Sequence, residues 1–343
     1  MINRRTISRL GTSILGVGLT AVLVAGCGGA ASSGDELSIV GFAVPAEGNA
    51  AVQEAFAETP DGEGVSWLTS YGASGDQSRA VVSGQPADVV HFSVEPDVTR
   101  LVDAGLVEEG WNSGPNNGFL TDSVVVLVVR EGNPENITDW EDLARDGVEI
   151  VTPNPGSSGA ARWNILAAWA SVLQKGGTEE EAAEFLEDVI GNVAAFPGSG
   201  RDATTAFLDG TGDVLISYEN EAILGKQQGQ EYEYIVPDRN LLIENPAAVT
   251  TSAPEAAQKF LDYALSPEGQ AIYAQYGFRP LRHLADQVEI GEVEGAADPA
   301  DPFPEVAELY TVDGDFGGWK AVADKYFDDD GIITRIIQQS GLN

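Results

Sequence analysis

One cysteine, at position 27, stands in 343 residues. No disulfide can therefore close within the chain, and no multi-cysteine metal site can form. Histidine is nearly as scarce: His91 and His283 are the only two, and neither an H-E-x-x-H helix nor a G-x-S-x-G turn occurs, so hydrolytic metal or serine chemistry has no foothold. Basic residues number 18 against 54 acidic, for a formal charge of -36 and an isoelectric point near 4.1. Neutralising a phosphate backbone requires a basic face, so nucleic acid is excluded as a partner. Beyond the N-terminal stretch no apolar run is long enough to cross a bilayer. The best of them, Val124 to Val129, is six residues of mostly β-branched character between Asp122 and Arg130, the pattern of a buried strand.

The N-terminus has its own composition. Arg4, Arg5 and Arg9 precede an uncharged, largely apolar stretch, Leu10 to Ala25, that ends at small residues before Cys27, which is the layout of an export signal. Val24, Ala25 and Gly26 before Cys27 resemble the lipobox of bacterial lipoproteins, in which the cysteine becomes the lipidated first residue of the mature chain. The expected division is a lipoprotein signal over residues 1–26 and a flexible tether over 27–35. Arg4 and Arg5 also leave a twin-arginine export route open, although Asn3 and Ser8 fit that pattern poorly. Removal of residues 1–26 takes away three arginines and no acid, moving the formal charge from -36 to -39.

From residue 36 onward, strand patterns alternate with amphipathic helical ones. Leu37 to Ala43, Val65 to Tyr71, Ala87 to Phe92, Ser123 to Arg130, Val148 to Val151 and Asp213 to Tyr218 read as strands. Asn49 to Ala57, Asp76 to Ser83, Asp97 to Ala104, Ala160 to Leu173, Glu179 to Asp188 and Ala253 to Leu265 read as helices. This alternation predicts the α/β class, with parallel sheets covered by helices. Trp163, Leu166 and Trp169 fall at helical spacing and are expected in the core.

Three places repeat one design, a strand end, a short Gly/Ser turn and a helix start: residues 71–76 (YGASGD), 154–160 (NPGSSGA) and 197–203 (PGSGRDA). Each exposes backbone N–H groups of a first helical turn beside small residues, and the helix dipole adds partial positive charge there. Caps and tight turns use the same residues for structural reasons, so the count of three carries the argument for an anion site. None has the Gly-Lys-Ser/Thr of a phosphate-binding loop or the spacing of a dinucleotide fingerprint.

Residues 151–164 (VTPNPGSSGAARWN) with 166–169 (LAAW) resemble the sulfate-binding proteins that feed ABC importers, whose pattern is NPxxSGGARWNxLAAW. Weaker matches run in the same order along the chain: 75–79 (GDQSR), 87–90 (ADVV), 128–134 (VVREGNP), 140–143 (WEDL), 201–207, 212–215 (GDVL), 219–222 (ENEA), 266–270 (SPEGQ) and 316–319 (FGGW) with Tyr326 and Phe327. The resemblance implies a two-lobed periplasmic-binding-protein fold of type II with the ligand between the lobes. It places lobe one at 36–120 plus 246–343 and lobe two at 121–245. It implies a dianion held by neutral donors: the backbones of Ser74, Gly159, Ala160 and Gly200, and the Ser158 hydroxyl. Ala160 stands where the family usually has glycine and Gly200 where it usually has alanine, and a backbone N–H survives either change. The remaining family donor is an indole N–H just before Glu-Asn-Glu, where this chain has Tyr218. A phenol can accept as well as donate and reaches less far, so molybdate, thiosulfate, tungstate and phosphate stay open beside sulfate.

Arg162 and Arg201 sit at the family's arginine positions, and the resemblance assigns both of them supporting ion pairs, with Asp202, Glu219 or Glu221 as the candidate partners, away from the ligand. Asp76 and Asp202 read as first-turn helix acids; an acceptor role toward a protonated ligand is the alternative. Glu219 and Glu221 could pair as a glycosidase couple, but close acids are expected among 54. Residues 328–331 (DDDG) lack the spacing of a calcium loop and read as a solvated turn, and 291–304 as an exposed acidic loop. The expectation is a monomeric, exported, lipid-anchored binding protein without cofactor, metal or enzymatic activity, delivering sulfate or a similar tetrahedral oxyanion to an ABC permease. The other class left open is a surface lipoprotein acting as an adhesin or assembly factor.

Overall fold

The computed structural model describes residues 35–342, so the expected export signal and Cys27 lie outside the described residues, as does all of the expected tether but Asp35. The strands are β1 (Glu36–Phe42), β2 (Ser66–Gly72), β3 (Val89–His91), β4 (Phe119–Arg130), β5 (Ile150–Val151), β6 (Val193–Ala195), β7 (Val214–Tyr218), β8 (Tyr232–Ile235), β9 (Arg239–Val249) and β10 (Glu308–Tyr310). The helices are α1 (Ala46–Ala57), α2 (Ser74–Val82), α3 (Glu95–Asp103), α4 (Gly159–Gln174), α5 (Glu179–Gly191), α6 (Gly200–Leu208), α7 (Glu219–Gln227), α8 (Glu255–Ala264), α9 (Pro267–Gln275), α10 (Val312–Phe316), α11 (Trp319–Val322) and α12 (Ile332–Ser340). No helix among the described residues is long and apolar enough to cross a membrane.

The sheet order is β2-β1-β3-β9-β4-β7-β5-β6, with β10 on β9 and β8 on β4. β1 pairs in parallel with β2 and β3, and β5 with β6 and β7, as strand–helix alternation demands. The two long strands β4 and β9 join these parallel halves. β4 pairs with β9 through residues 119–124 and with β7 through residues 125–129, antiparallel in both cases. At its other end β9 pairs with β3 through residues 247–249. Val124 to Val129 are buried throughout. Full burial of each such side chain is worth about 1.5–3 kcal/mol, which makes this run the sheet's anchor.

Trp163 and Trp169 are core residues, as their spacing predicts. They meet Trp319 and Tyr326 edge-on, with ring centroids 4.6 and 5.2 Å apart. α12 packs on α5, and β10 joins β9 at Arg239 to Leu241. The stretch from residue 308 thus sits with elements expected in lobe two, although the sequence division places it in lobe one. The reason is physical: α4 presents two tryptophans that need apolar cover, and the C-terminal segment supplies it. The loop at 291–304 is mostly exposed, yet Val293 is buried against Ile223, so the loop is fastened to α7.

Candidate functional site

The three Gly/Ser turns meet. The Gly75 N–H at the start of α2 donates to the Ser157 carbonyl (3.1 Å), the Ser157 hydroxyl donates to the Gly198 carbonyl (2.7 Å), and Asn154 N–H donates to the Pro197 carbonyl (2.7 Å). A Cβ added at Gly200 would lie 3.4 Å from the Ala160 side chain and 3.2 Å from that of Val44, just before α1. The starts of α2, α4 and α6, at Ser74, Gly159 and Gly200, are thus brought together with Ser158 and Ala160 alongside, and all but the half-buried Gly200 are buried.

Two of these helix starts lack side-chain caps, as do those of α1, α3, α7, α8, α11 and α12. α5, remote from the turns, opens with a full capping box in which Thr178 and Glu181 exchange hydrogen bonds. α2 and α4 open without any side-chain cap, and the cap of α6 is Ser199, whose hydroxyl takes only the Asp202 N–H. First-turn N–H groups left without a cap in a buried setting need an acceptor from elsewhere, and an oxyanion is one.

The side chains sort into donors and supports. The Ser74 hydroxyl donates to Asp97 (2.6 Å) and accepts from Ser93 N–H (2.9 Å), which leaves only its backbone for a ligand. The Ser158 hydroxyl does not cap its helix. Tyr218, at the end of β7, is buried, and its hydroxyl lies 2.9 Å from that of Ser93. Burial drives the Tyr218 pKa far above the usual phenol value, so it stays protonated. Ser93, which bridges Ser74 and Tyr218, is not singled out by the sequence, because a serine after a short strand carries no distinguishing signal.

Arg201 reaches two carboxylates. Its guanidinium holds Glu221 (2.8 and 3.0 Å) and Glu47 (2.8 and 3.0 Å) at once. Burial opposes its charge, but Glu221 and Glu47 more than restore it, so it remains a cation whose field is spent on these partners. Of the partners expected for Arg201, Glu221 is present, while Asp202 turns to Ser199 and Glu219 to Arg279. For Arg162 the expected ion pair is absent among the described residues: its Nε donates to the Pro155 carbonyl (3.2 Å) and the guanidinium stands 5.3 Å from the Phe327 ring. With so much of α4 committed to the core, the nearest acceptor for Arg162 is the turn's own backbone.

Beneath the site runs a buried polar network. The Asn49 carbonyl oxygen meets His91 Nδ1 (3.1 Å) and accepts from the Tyr273 hydroxyl (2.7 Å), while His91 Nε2 meets the Thr121 hydroxyl (3.2 Å). Burial pulls the His91 pKa down to about 3, so the ring is neutral at physiological pH and brings no charge to the site. His283 lies apart, in a surface cavity with Arg282. No group of three His, Cys, Asp or Glu among the described residues is arranged to hold a metal. Asp76 pairs with Arg79, and residues 328–330 are exposed.

Comparison with known proteins gives concordant findings. A family model described as bacterial extracellular solute-binding protein matches residues 42–279. A sulfate-binding protein of Synechococcus elongatus is 40% identical over 336 residues, covering 93% of each chain. A thiosulfate-binding protein of Pseudomonas aeruginosa is 36% identical, covering 90% of this chain and 94% of that one. Among solved structures, the sulfate-binding protein SubI from Mycobacterium tuberculosis H37Rv superposes with a TM-score of 0.78 at 43% identity, over 85% of this chain and 99% of the other.

Proposed function

The chain belongs to the sulfate-binding proteins within the bacterial extracellular solute-binding family, and from that premise we propose that it captures sulfate outside the cytoplasm and delivers it to an ABC permease. The observation that carries the proposal is the meeting of three helix N-termini, two of them without side-chain caps, around a volume whose nearby arginine is already paired. The dianion takes the N–H groups of Ser74, Gly159, Ala160 and Gly200 and the hydroxyl of Ser158. No cation touches it; its charge is balanced by helix dipoles and aligned N–H groups.

A ligand with its own proton finds no acceptor among such donors and loses about 1–3 kcal/mol or more for the unpaired group. Sulfate, fully ionised at neutral pH, is preferred over hydrogen phosphate on this ground, and thiosulfate, named for the Pseudomonas relative, is the second ligand the site admits. The relatives are binding proteins, and this chain is read as one rather than as an enzyme. Cys27 is the lipidated residue that tethers the monomer to the outer face of the membrane.

Capture works by closure. The lobes are joined through β4 and β9, with α2 on one side and α4 and α6 on the other, and the anion completes the contact between them. Support comes from Arg201, whose pairing of Glu47 with Glu221 reaches from α1 to α7, and from the Gly75 to Ser157 hydrogen bond. Small-angle scattering of the protein from Gly34 onward should show a smaller radius of gyration on addition of sulfate. An unchanged radius at saturating sulfate would remove closure from the account.

A further inference from the structure

Ser93 follows β3 with its backbone fixed on both sides. Its N–H donates to Ser74 Oγ (2.9 Å), and its carbonyl accepts from Trp163 Nε1 (2.7 Å) and Asn245 Nδ2 (2.9 Å). The side chain is therefore aimed rather than free, and it points at the start of α4: a Cβ built on Gly159 would lie 2.8 Å from Ser93 Oγ. Ser93 Oγ has one hydrogen-bond partner, the Tyr218 hydroxyl at 2.9 Å, and both residues are buried.

Two hydroxyls carry two protons, and the contact between them consumes one. The amide of Asn245 donates to the Ser93 carbonyl (2.9 Å) and so helps to fix the residue that carries one of these hydroxyls. Of the two hydroxyls it is Ser93 Oγ that borders the start of α4, so the direction of donation that aims a proton at the helix starts is Tyr218 O–H to Ser93 Oγ and Ser93 O–H onward.

We infer that Ser93 is the side-chain donor to the bound anion in place of the family's indole, and that Tyr218 is a positioning residue that orients and polarises it. This rests on the oxyanion reading above and names the group that completes that same site. A hydroxyl that accepts a hydrogen bond donates the next more strongly, so the pair acts as one unit.

The test is a double-mutant cycle by calorimetric titration with sulfate, on the protein from Gly34 onward, with wild type, Ser93→Ala, Tyr218→Phe and the double variant. Ser93→Ala should weaken sulfate about tenfold or more, Tyr218→Phe a few-fold, and the double variant no further than Ser93→Ala, because the relay has already lost its last link. Ligand-free melting temperatures separate a lost contact from a damaged fold. A larger loss for Tyr218→Phe than for Ser93→Ala, or additive losses, would make Tyr218 the direct donor and overturn the inference. Wild-type binding that survives Ser93→Ala intact defeats the relay alone; a wild type that takes up neither sulfate, thiosulfate nor molybdate defeats the oxyanion reading and the relay together.

Discussion

At residue scale, the two glycines of the site differ in how much room surrounds them. A Cβ on Gly159 would stand 2.7 Å from Ser93 Cβ and 2.8 Å from its Oγ, closer than real contacts allow. At Gly200 the nearest atoms are 3.2 and 3.4 Å away, both ends of apolar side chains. Gly159→Ala should push Ser93 aside and weaken sulfate at least about tenfold, a cost typical of overpacking by one methyl group, while Gly200→Ala should leave affinity within about threefold. Titration of both variants decides it, and equal affinities would mean that Ser93 does not border the site. The turns that carry these glycines were visible in the sequence because they repeat a recognisable design. Ser93 was not, because its role depends on a contact with a residue 125 positions away. The partner of Arg201 was half legible: Glu221 lies within reach along the chain, whereas Glu47 arrives only through the fold.

At the scale of elements, β4 and β9 carry an acid pair, Asp122 buried and Glu244 half-buried. Asp122 and Glu244 are register partners, and Arg282 and His283 line the same cavity of about 180 Å³. One Asp122 oxygen is buried without a hydrogen-bond partner. Burial, with Glu244 close by, raises the Asp122 pKa well above the usual range, against the pull of Arg282; burial lifts Glu244 to about 7, with Asp313 adding to it and Arg282 opposing. Both folded values lie above the unfolded ones, so the folded state holds more protons between about pH 4.5 and 7, and stability falls as pH rises through that window. Urea midpoints across the window should decline for wild type, and Glu244→Gln should flatten the decline; a Glu244→Gln profile parallel to wild type would show that the pair does not titrate as described. The same elements mark where the sequence pattern stops informing. Ser123 to Arg130 was readable as a strand, but its first residues, Phe119 to Asp122, were not, since a buried aspartate breaks the pattern. Periodicity does not show β9, because Asn240, Glu244, Asn245 and Pro246 interrupt any alternation; only the resemblance, through the lobe boundary it sets at 245/246, points there, and the strand stands because β3 and β4 pair with it along most of its length.

For the whole molecule, the formal charge of -39 beyond the signal segment surrounds a site built for a dianion. The site's own attraction is short-ranged, from N–H groups and helix ends, while the repulsion of the remaining surface reaches as far as salt allows, roughly 8 Å at physiological ionic strength. Sulfate association, followed by stopped-flow tryptophan fluorescence, should therefore speed up several-fold as sodium chloride is raised. A rate that falls with salt would mean that a local positive field, not the overall charge, governs entry. The overall architecture was legible because strand–helix alternation and the ordered family motifs agree; the placement of residues 308–340 on α4 and α5 was not, because only the packed tryptophans demand it. The central claim is that a neutral, donor-only site selects a fully ionised tetrahedral oxyanion. Isothermal titration of the protein from Gly34 onward, at fixed pH and salt, with sulfate and then with phosphate, tests this most directly. The account predicts tight one-to-one binding of sulfate with phosphate at least about a hundredfold weaker; phosphate bound as tightly as sulfate would contradict it.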